Sequence, residues 1–516
     1  MIKEQEFIDK IKNSYNPKGE YIYLGAGMLD GKVLSEAEVN LSLKMMNRHG
    51  LIAGATGTGK TRTLQLIAEQ LSNAGVPVFM LDVKGDLSGL YQPGETNAKI
   101  EERAKALNIE FKPTGFPIEL YSLSGKKGAQ MRATVSEFGP VMLGKILDLN
   151  DTQVGVLSAI FKYADDNKMA LVDFKDLKKL LSYLSEGDGA LEIKDTYGKI
   201  STATSGTILR KIVALEQMGL SPMFGETSFD IHDLFEKVDG KGVISLLNIS
   251  DVQDQPSLYS TFLLSLLAEL FYNMPEVGDL DKPKLVFFFD EAHLLFKNSS
   301  KAFLEQIEQV IRLIRSKGIG VFFCTQAATD VPESVLGQLG NRVQHALRAF
   351  TPNDVDSLKK TVKTYPSSGF YQIDKVLTSL GTGEAIITVL NEKGVPTETV
   401  AVHLIPPTAV MGPMSDAECQ KLMDNSDLYR KYQETIDPRS AYEILVERIE
   451  AKSKIEGNQT TVTVTRSTTR IEKSTFEKVM DASITKQIGR EIVRGIFGMI
   501  GGKKPRGKSG GSFFGF

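Results

Sequence analysis

"LIAGATGTGKT", Leu51–Thr61, decides how this 516-residue chain is read. An apolar start runs into a turn rich in Gly and Ala, and Lys60 and Thr61 stand together at its end. Gly54, Gly59, Lys60 and Thr61 fit the spacing G-x-x-x-x-G-K-[ST] of a phosphate-binding loop. Such a loop turns several backbone N–H groups toward one centre. Glycine allows this at little steric cost and lets the chain approach its ligand closely. Gly54, Ala55, Thr56, Gly57, Thr58, Gly59, Lys60, Thr61 and Arg62 are therefore the candidate nucleotide contacts. Lys60 would reach the β- and γ-phosphates of ATP, and the Thr61 hydroxyl would ligate Mg²⁺. In "TRTLQLIAEQLSNAG", Leu64, Ile67, Leu71 and Ala74 recur at three and four residues. This predicts a helix that starts at the loop and ends near Gly75. Its N-terminus adds partial positive charge beneath the phosphates.

Outward from the loop, five runs read as buried parallel strands: "HGLIAG", "VPVFMLD", "GVISLLNI", "KLVFFFD" and "GIGVFFCT". They are apolar throughout rather than alternating, as strands covered on both faces are. Helical patterns separate most of them, which predicts an α/β fold with a largely parallel sheet. "KLVFFFDEAH" supplies the second half of a hydrolytic site. Asp290, at the end of its strand, would hold Mg²⁺, and Glu291 would polarise the attacking water. Two carboxylates there are costly without a cation or hydrogen-bond partners. His293 either joins this shell or packs. The next strand ends at Gln326, placed to sense the γ-phosphate, and Cys324 reads as a small buried residue. Arg342 and Arg348 flank a further apolar strand, and one of them, with Arg342 preferred, would neutralise charge at a neighbouring subunit's site. Asp82, Lys84 and Asp86 would emerge at the same sheet edge, in contact with the site or shaping the turn around Gly85.

The chain divides by pattern. Residues 1–47 form an N-terminal segment; 48–135 and 240–405 form the core; 136–239 read as a helical insertion rich in Leu, Ile and Val. Asn150, Asp151 and Thr152 suit a helix start there. Residues 406–456 follow as a proline-containing arm and helices, 457–474 as a flexible linker, 475–500 as an amphipathic helix and 501–516 as a disordered basic tail. In that last helix Ile484, Ile488, Ile492 and Ile496 lie nearly opposite Lys486, Arg490 and Arg494. Such a helix docks on its own body, a sister subunit, a membrane surface or nucleic acid.

Composition narrows the class. A hydrophobic share of 41% and a charged share of 24% indicate a globular protein of two or three domains. Two cysteines exclude a disulfide scaffold and fit a reducing cytoplasm. The charged start "MIKEQEFIDKIKNSYNPKGE" lacks the apolar core of a secretory signal. Net charge is −3, but Ala451–Phe516 carries 13 Lys and Arg against 5 Asp and Glu, a basic tail on an acidic body.

"HGLIAGATGTGKT", "DVKGDLSG", "KLVFFFDEAHLLF", "VIRLIRSKGIGVFFCTQ" and "LGQLGNRVQHALRAF" together resemble the HerA-like NTPases of the HerA/FtsK superfamily. Within them the chain is most similar to the YjgR subfamily, formerly a domain of unknown function. The resemblance runs from about Tyr21 to His403, and "KQIGREIVRG" in the tail shares it. It implies a RecA-like P-loop NTPase core in which another strand separates the loop strand from the carboxylate strand. It also implies hexameric rings that pump double-stranded DNA through a central hole. By this likeness Lys60 and Thr61 match the Walker A pair, Asp290 and Glu291 the Walker B pair, and Gln326 the sensor. An arginine of "GNRVQHALR" matches a trans-acting finger. Three features depart from the pattern: no β-barrel domain precedes the loop, the helical insertion has no matched counterpart, and no basic stripe marks the core. The expected function is a Mg²⁺-dependent ATPase motor, a homo-oligomer acting on DNA. The alternative is a regulatory or scaffold NTPase that binds a partner protein through the insertion, or one held at a membrane by the tail helix.

Overall fold

The computed structural model describes residues 2–296 and 301–458. Apart from its first two residues, the expected linker 457–474 lies outside them, as do the expected helix 475–500 and tail 501–516. Among the described residues, the main sheet has twelve strands. In spatial order they are Lys32–Ser42, Tyr21–Leu29, Val400–Leu404, Glu384–Thr388, Asn341–His345, Gly50–Ala53, Ile319–Thr325, Leu285–Phe289, Val78–Asp82, Ile244–Asn248, Ile118–Ser122 and Ala129–Gln130. From Asn341–His345 onward all neighbours run parallel. The four strands on the other flank are antiparallel.

The five apolar runs all become parallel strands. Gly50–Ala53, Val78–Asp82, Leu285–Phe289 and Ile319–Thr325 are buried at every residue, because helices cover both faces. Phenylalanines fill the central register: the rings of Phe289 and Phe323 stack at 5.4 Å, and Phe288 meets Phe322 at 5.3 Å. Each buried ring contributes about 1.5–3 kcal/mol. Gly50 is required at its strand's start, since a Cβ there would meet the Phe322 ring at 2.2 Å.

The strand Ile319–Thr325 lies between the loop strand Gly50–Ala53 and the acid strand Leu285–Phe289. That is the order the resemblance implied. The helix after the loop spans Lys60–Asn73. The antiparallel flank was legible only in part. Residues before 48 add two strands to the same sheet, and the helix Ile2–Ser14 packs Phe7, Ile8 and Ile11 into the core.

Five helices occupy Val135–Ile146, Asp151–Asp166, Phe174–Ser185, Ala190–Tyr197 and Thr202–Gln217. Asn150 caps the second through a reciprocal pair with Gln153, at 3.0 and 3.1 Å. After Leu404 the proline-containing arm follows the loop helix. The buried Glu69 carboxylate accepts bonds from Thr408 N (2.7 Å), Thr408 Oγ1 (2.9 Å) and Ala409 N (3.1 Å). Beyond the arm, Tyr442 N donates to Asp176 Oδ1 at 2.8 Å and Ala441 N to Ala170 O at 2.9 Å. The C-terminal chain thereby joins the loop helix to the helical segment. No helix among the described residues is long and apolar enough to cross a membrane.

Replacing Glu69 by Leu strands buried donors on the arm. It is expected to lower the unfolding free energy by about 2–4 kcal/mol, read from urea denaturation.

Candidate nucleotide site

Both neighbouring strands pin the glycine loop where it leaves the sheet. Gly54 N donates to Thr325 O at 3.2 Å, and Ala55 N to Ala346 O at 2.9 Å. Gly54, Gly57 and Gly59 take φ values of 153°, 77° and 113°, which side chains disfavour. A Cβ on Gly54 would also meet His345 Cβ at 2.5 Å. Gly59 opens the helix Lys60–Asn73 without any side-chain cap. The first helical N–H groups are thus left to an anion. Lys60 Nζ donates to Ala55 O at 3.2 Å, bent over the loop it serves. Thr61, the second helical residue, is half-buried.

His345 was not singled out in the sequence, yet it anchors the loop helix. Its Nδ1 lies 3.0 Å from Glu384 O, which can only accept, so Nδ1 carries the proton. Nε2 then accepts from Thr63 Oγ1 at 2.8 Å. Burial holds the His345 pKa down at about 4, and the ring is neutral near Lys60. Gly383 N donates to Thr58 O at 3.1 Å, and Arg103 holds the Gly383 and Leu404 carbonyls at 3.0 and 2.9 Å. Only the sheet order brings these residues to the loop, so no local pattern could have disclosed them.

Asp290 follows the acid strand directly and is 5% exposed. Burial and the Glu291 charge raise its pKa; the Glu291 N–H and the Cys324 thiol lower it. Cys324, on the strand between, feels both halves of the site. Burial and Asp290 push its thiol up while the Lys60 ammonium pulls it down. Glu291 has a left-handed backbone, φ 49°, a strain that its surroundings must hold. Its Oε1 lies 3.3 Å from Lys84 Nζ and its Oε2 3.4 Å from His293 Nδ1. Neither Glu291 Oε2 nor His293 Nδ1 has a hydrogen-bond partner among the described residues.

The remaining candidates separate. Asp82 shapes the turn, accepting from Gly85 N (2.7 Å), Asp86 N (3.1 Å) and Leu87 N (3.1 Å). Gln326 is exposed and lines a cavity of about 940 Å³ with Ala55, Thr56, His293 and Arg348. Lys60, Asp290 and Glu291 are not in that wall. Two further candidates are engaged within the chain. Arg342 gives its donors to the carbonyls of Leu339 (3.1 Å), Thr364 (3.0 Å) and Leu336 (3.2 Å). The Arg62 guanidinium holds Gln65 Oε1 and Met411 O, both at 3.0 Å, on the arm side. Arg348 is exposed and holds one carbonyl, Thr378 O, at 3.0 Å.

The donor set fits a polyphosphate with Mg²⁺. No cluster of three His, Cys, Asp or Glu that could cage a metal occurs among the described residues. Mg²⁺ needs none, because one carboxylate, one hydroxyl, waters and phosphate oxygens suffice.

Residues 29–505 match the family model described as helicase HerA-like C-terminal. The chain belongs to this HerA-like family of P-loop NTPases. The DNA double-strand break repair helicase HerA of Sulfurisphaera tokodaii is 23% identical over 371 residues, covering 69% of this chain and 66% of that protein. The DNA import protein CedB of Sulfolobus acidocaldarius is 23% identical over 380 residues, or 72% of this chain and 54% of that one. The HerA-like chain therefore spans just under two thirds of the first relative and about half of the second. The unbound bacterial conjugative coupling protein TrwBdeltaN70 shares the fold, with a TM-score of 0.51 at 14% identity over 79% of this chain and 94% of its own.

The neutral His345 gives a pH signature. Its folded pKa of about 4 lies below the ordinary 6.5, so the unfolded chain binds more protons between those values. The stability it contributes is complete above about pH 6.5 and declines as the pH falls toward about 4. The stability difference between wild type and His345→Gln should narrow across that window in thermal unfolding and stay level above pH 7.

Proposed function

We propose that this chain is a Mg²⁺-dependent ATPase that assembles into a ring and acts on double-stranded DNA. The observation that carries the proposal is the strand order: Ile319–Thr325 lies between the loop strand and the acid strand, so the glycine loop and Asp290 leave the same sheet edge on either side of it. In this reading the glycine loop and the uncapped helix grip the phosphates through backbone N–H groups. Lys60 turns from Ala55 O to the β- and γ-oxygens. Thr61 and Asp290 would hold Mg²⁺, which supplies charge neutralisation on the phosphates when bound. Glu291 takes a proton from the attacking water. Gln326, at the cavity wall, reports the γ-phosphate to the loop that follows it. Arg348 keeps the finger role, since its guanidinium is exposed and lightly engaged. The HerA and CedB names favour DNA as the substrate.

The regulatory alternative would use the helical segment, which exposes Leu191 (73%) and Met218 (59%), to meet a protein partner.

ATPase rates with and without duplex DNA, taken over a salt series beside native mass, decide between the two. The motor predicts stimulation by duplex DNA, DNA binding that weakens steeply with salt, and a multimeric mass. Unstimulated slow turnover with no DNA binding at low salt would refute it. Lys60→Ala should abolish most nucleotide affinity. Glu291→Gln should keep affinity while turnover falls by about 10²-fold or more; wild-type turnover in that variant would remove Glu291 from the base role.

A further inference from the structure

The strand Val78–Asp82 adjoins the acid strand, with Leu81 opposite Phe289. The turn after Asp82 therefore emerges beside Asp290 and Glu291. Three backbone N–H bonds to the Asp82 carboxylate stiffen that turn, and Lys84 rides on it. Its ammonium reaches Glu291 Oε1 at 3.3 Å. Among the described residues this is the one hold that a permanently charged group has on the Glu291 side chain. The other oxygen faces His293 without a hydrogen bond, and the buried Tyr259 hydroxyl nearby is also without a partner. Glu291 thus sits on a strained backbone, with one oxygen fixed and one left to a small polar guest.

We propose that Lys84 is a positioning residue: its ammonium fixes the Glu291 carboxylate in the orientation that presents Oε2 to the attacking water. This rests on the reading of Glu291 as the base. Magnitudes separate it from two plainer roles. The Lys84 side chain is 54% exposed, and such ion pairs stabilise a fold by little. Its value lies in restricting one side chain where a displacement of an ångström costs roughly a hundredfold in rate. The second plainer role is a phosphate ligand; the Lys84 strand is three places from the loop strand, roughly 14 Å at the usual strand spacing, and the contact that its ammonium makes is with Glu291.

Three variants test this. Lys84→Met should lower kcat by roughly ten- to a hundredfold while leaving KM and calorimetric ATP affinity within about twofold. Lys84→Arg should recover part of the loss. Lys84→Met with Glu291→Gln should turn over no more slowly than Glu291→Gln alone, because Lys84 acts only through that carboxylate. If Lys84→Met does not fold, Lys84→Gln carries the same measurements. An unchanged or raised kcat, a loss confined to KM, or multiplying kcat losses each overturns the inference. A slow Glu291→Gln beside a fast Lys84→Met sinks this inference alone; a fast Glu291→Gln sinks the base assignment and this inference with it.

Discussion

Everything at this site depends on one strand, Ile319–Thr325, lying parallel between two others. Its register sets Thr325 beside Ala53 and Phe323 beside Phe289. The glycine loop and the acid pair therefore leave the sheet at the same edge, one strand apart on either side of Cys324. Parallel strands end together, so the chemistry collects along a single edge. The Gly54–Thr325 backbone bond fastens the loop to this middle strand. A slip of one residue would turn every side chain to the wrong face and move the acids away from the loop.

The cost of that arrangement is visible. Asp290 is buried beside a second carboxylate, and burial raises its pKa. Glu291 occupies a backbone region that side chains avoid. Lys84, Cys324 and the Glu291 N–H offset part of this cost from three directions. Strain and unsatisfied atoms persist only where their surroundings over-determine them, and here the stiff apolar sheet does so. The arm after Leu404 serves the same end on the loop side, where Glu69 and Arg62 bind it along the helix. Through Asp176 the C-terminal chain then reaches the helical segment, so one stretch of chain is hydrogen-bonded to the loop helix at one end and to that segment at the other.

Local patterns wrote much of this plainly. The glycine spacing located the loop, its Lys–Thr pair and its helix. The continuous apolar runs located the parallel strands, and the resemblance supplied their order around the acids. The holds on Arg342 are mixed: Leu339 and Leu336 lie three and six residues back, and only Thr364, 22 residues on, is brought to it from beyond its own loop. His345, Gly383, Arg103 and Glu69 escaped notice because the partners named above lie 39 to 340 residues away.

What the sequence determined by itself is whatever short-range chemistry encodes: where glycine permits the loop, where apolar runs demand burial, and which residues could meet phosphate, metal and water. What the tertiary structure alone decided is how charges are shared. The neutrality of His345 and the hold of Lys84 on Glu291 both follow from which distant groups the fold brings together. No spacing along the chain specifies that, because electrostatic partnership is set by distance and desolvation in three dimensions.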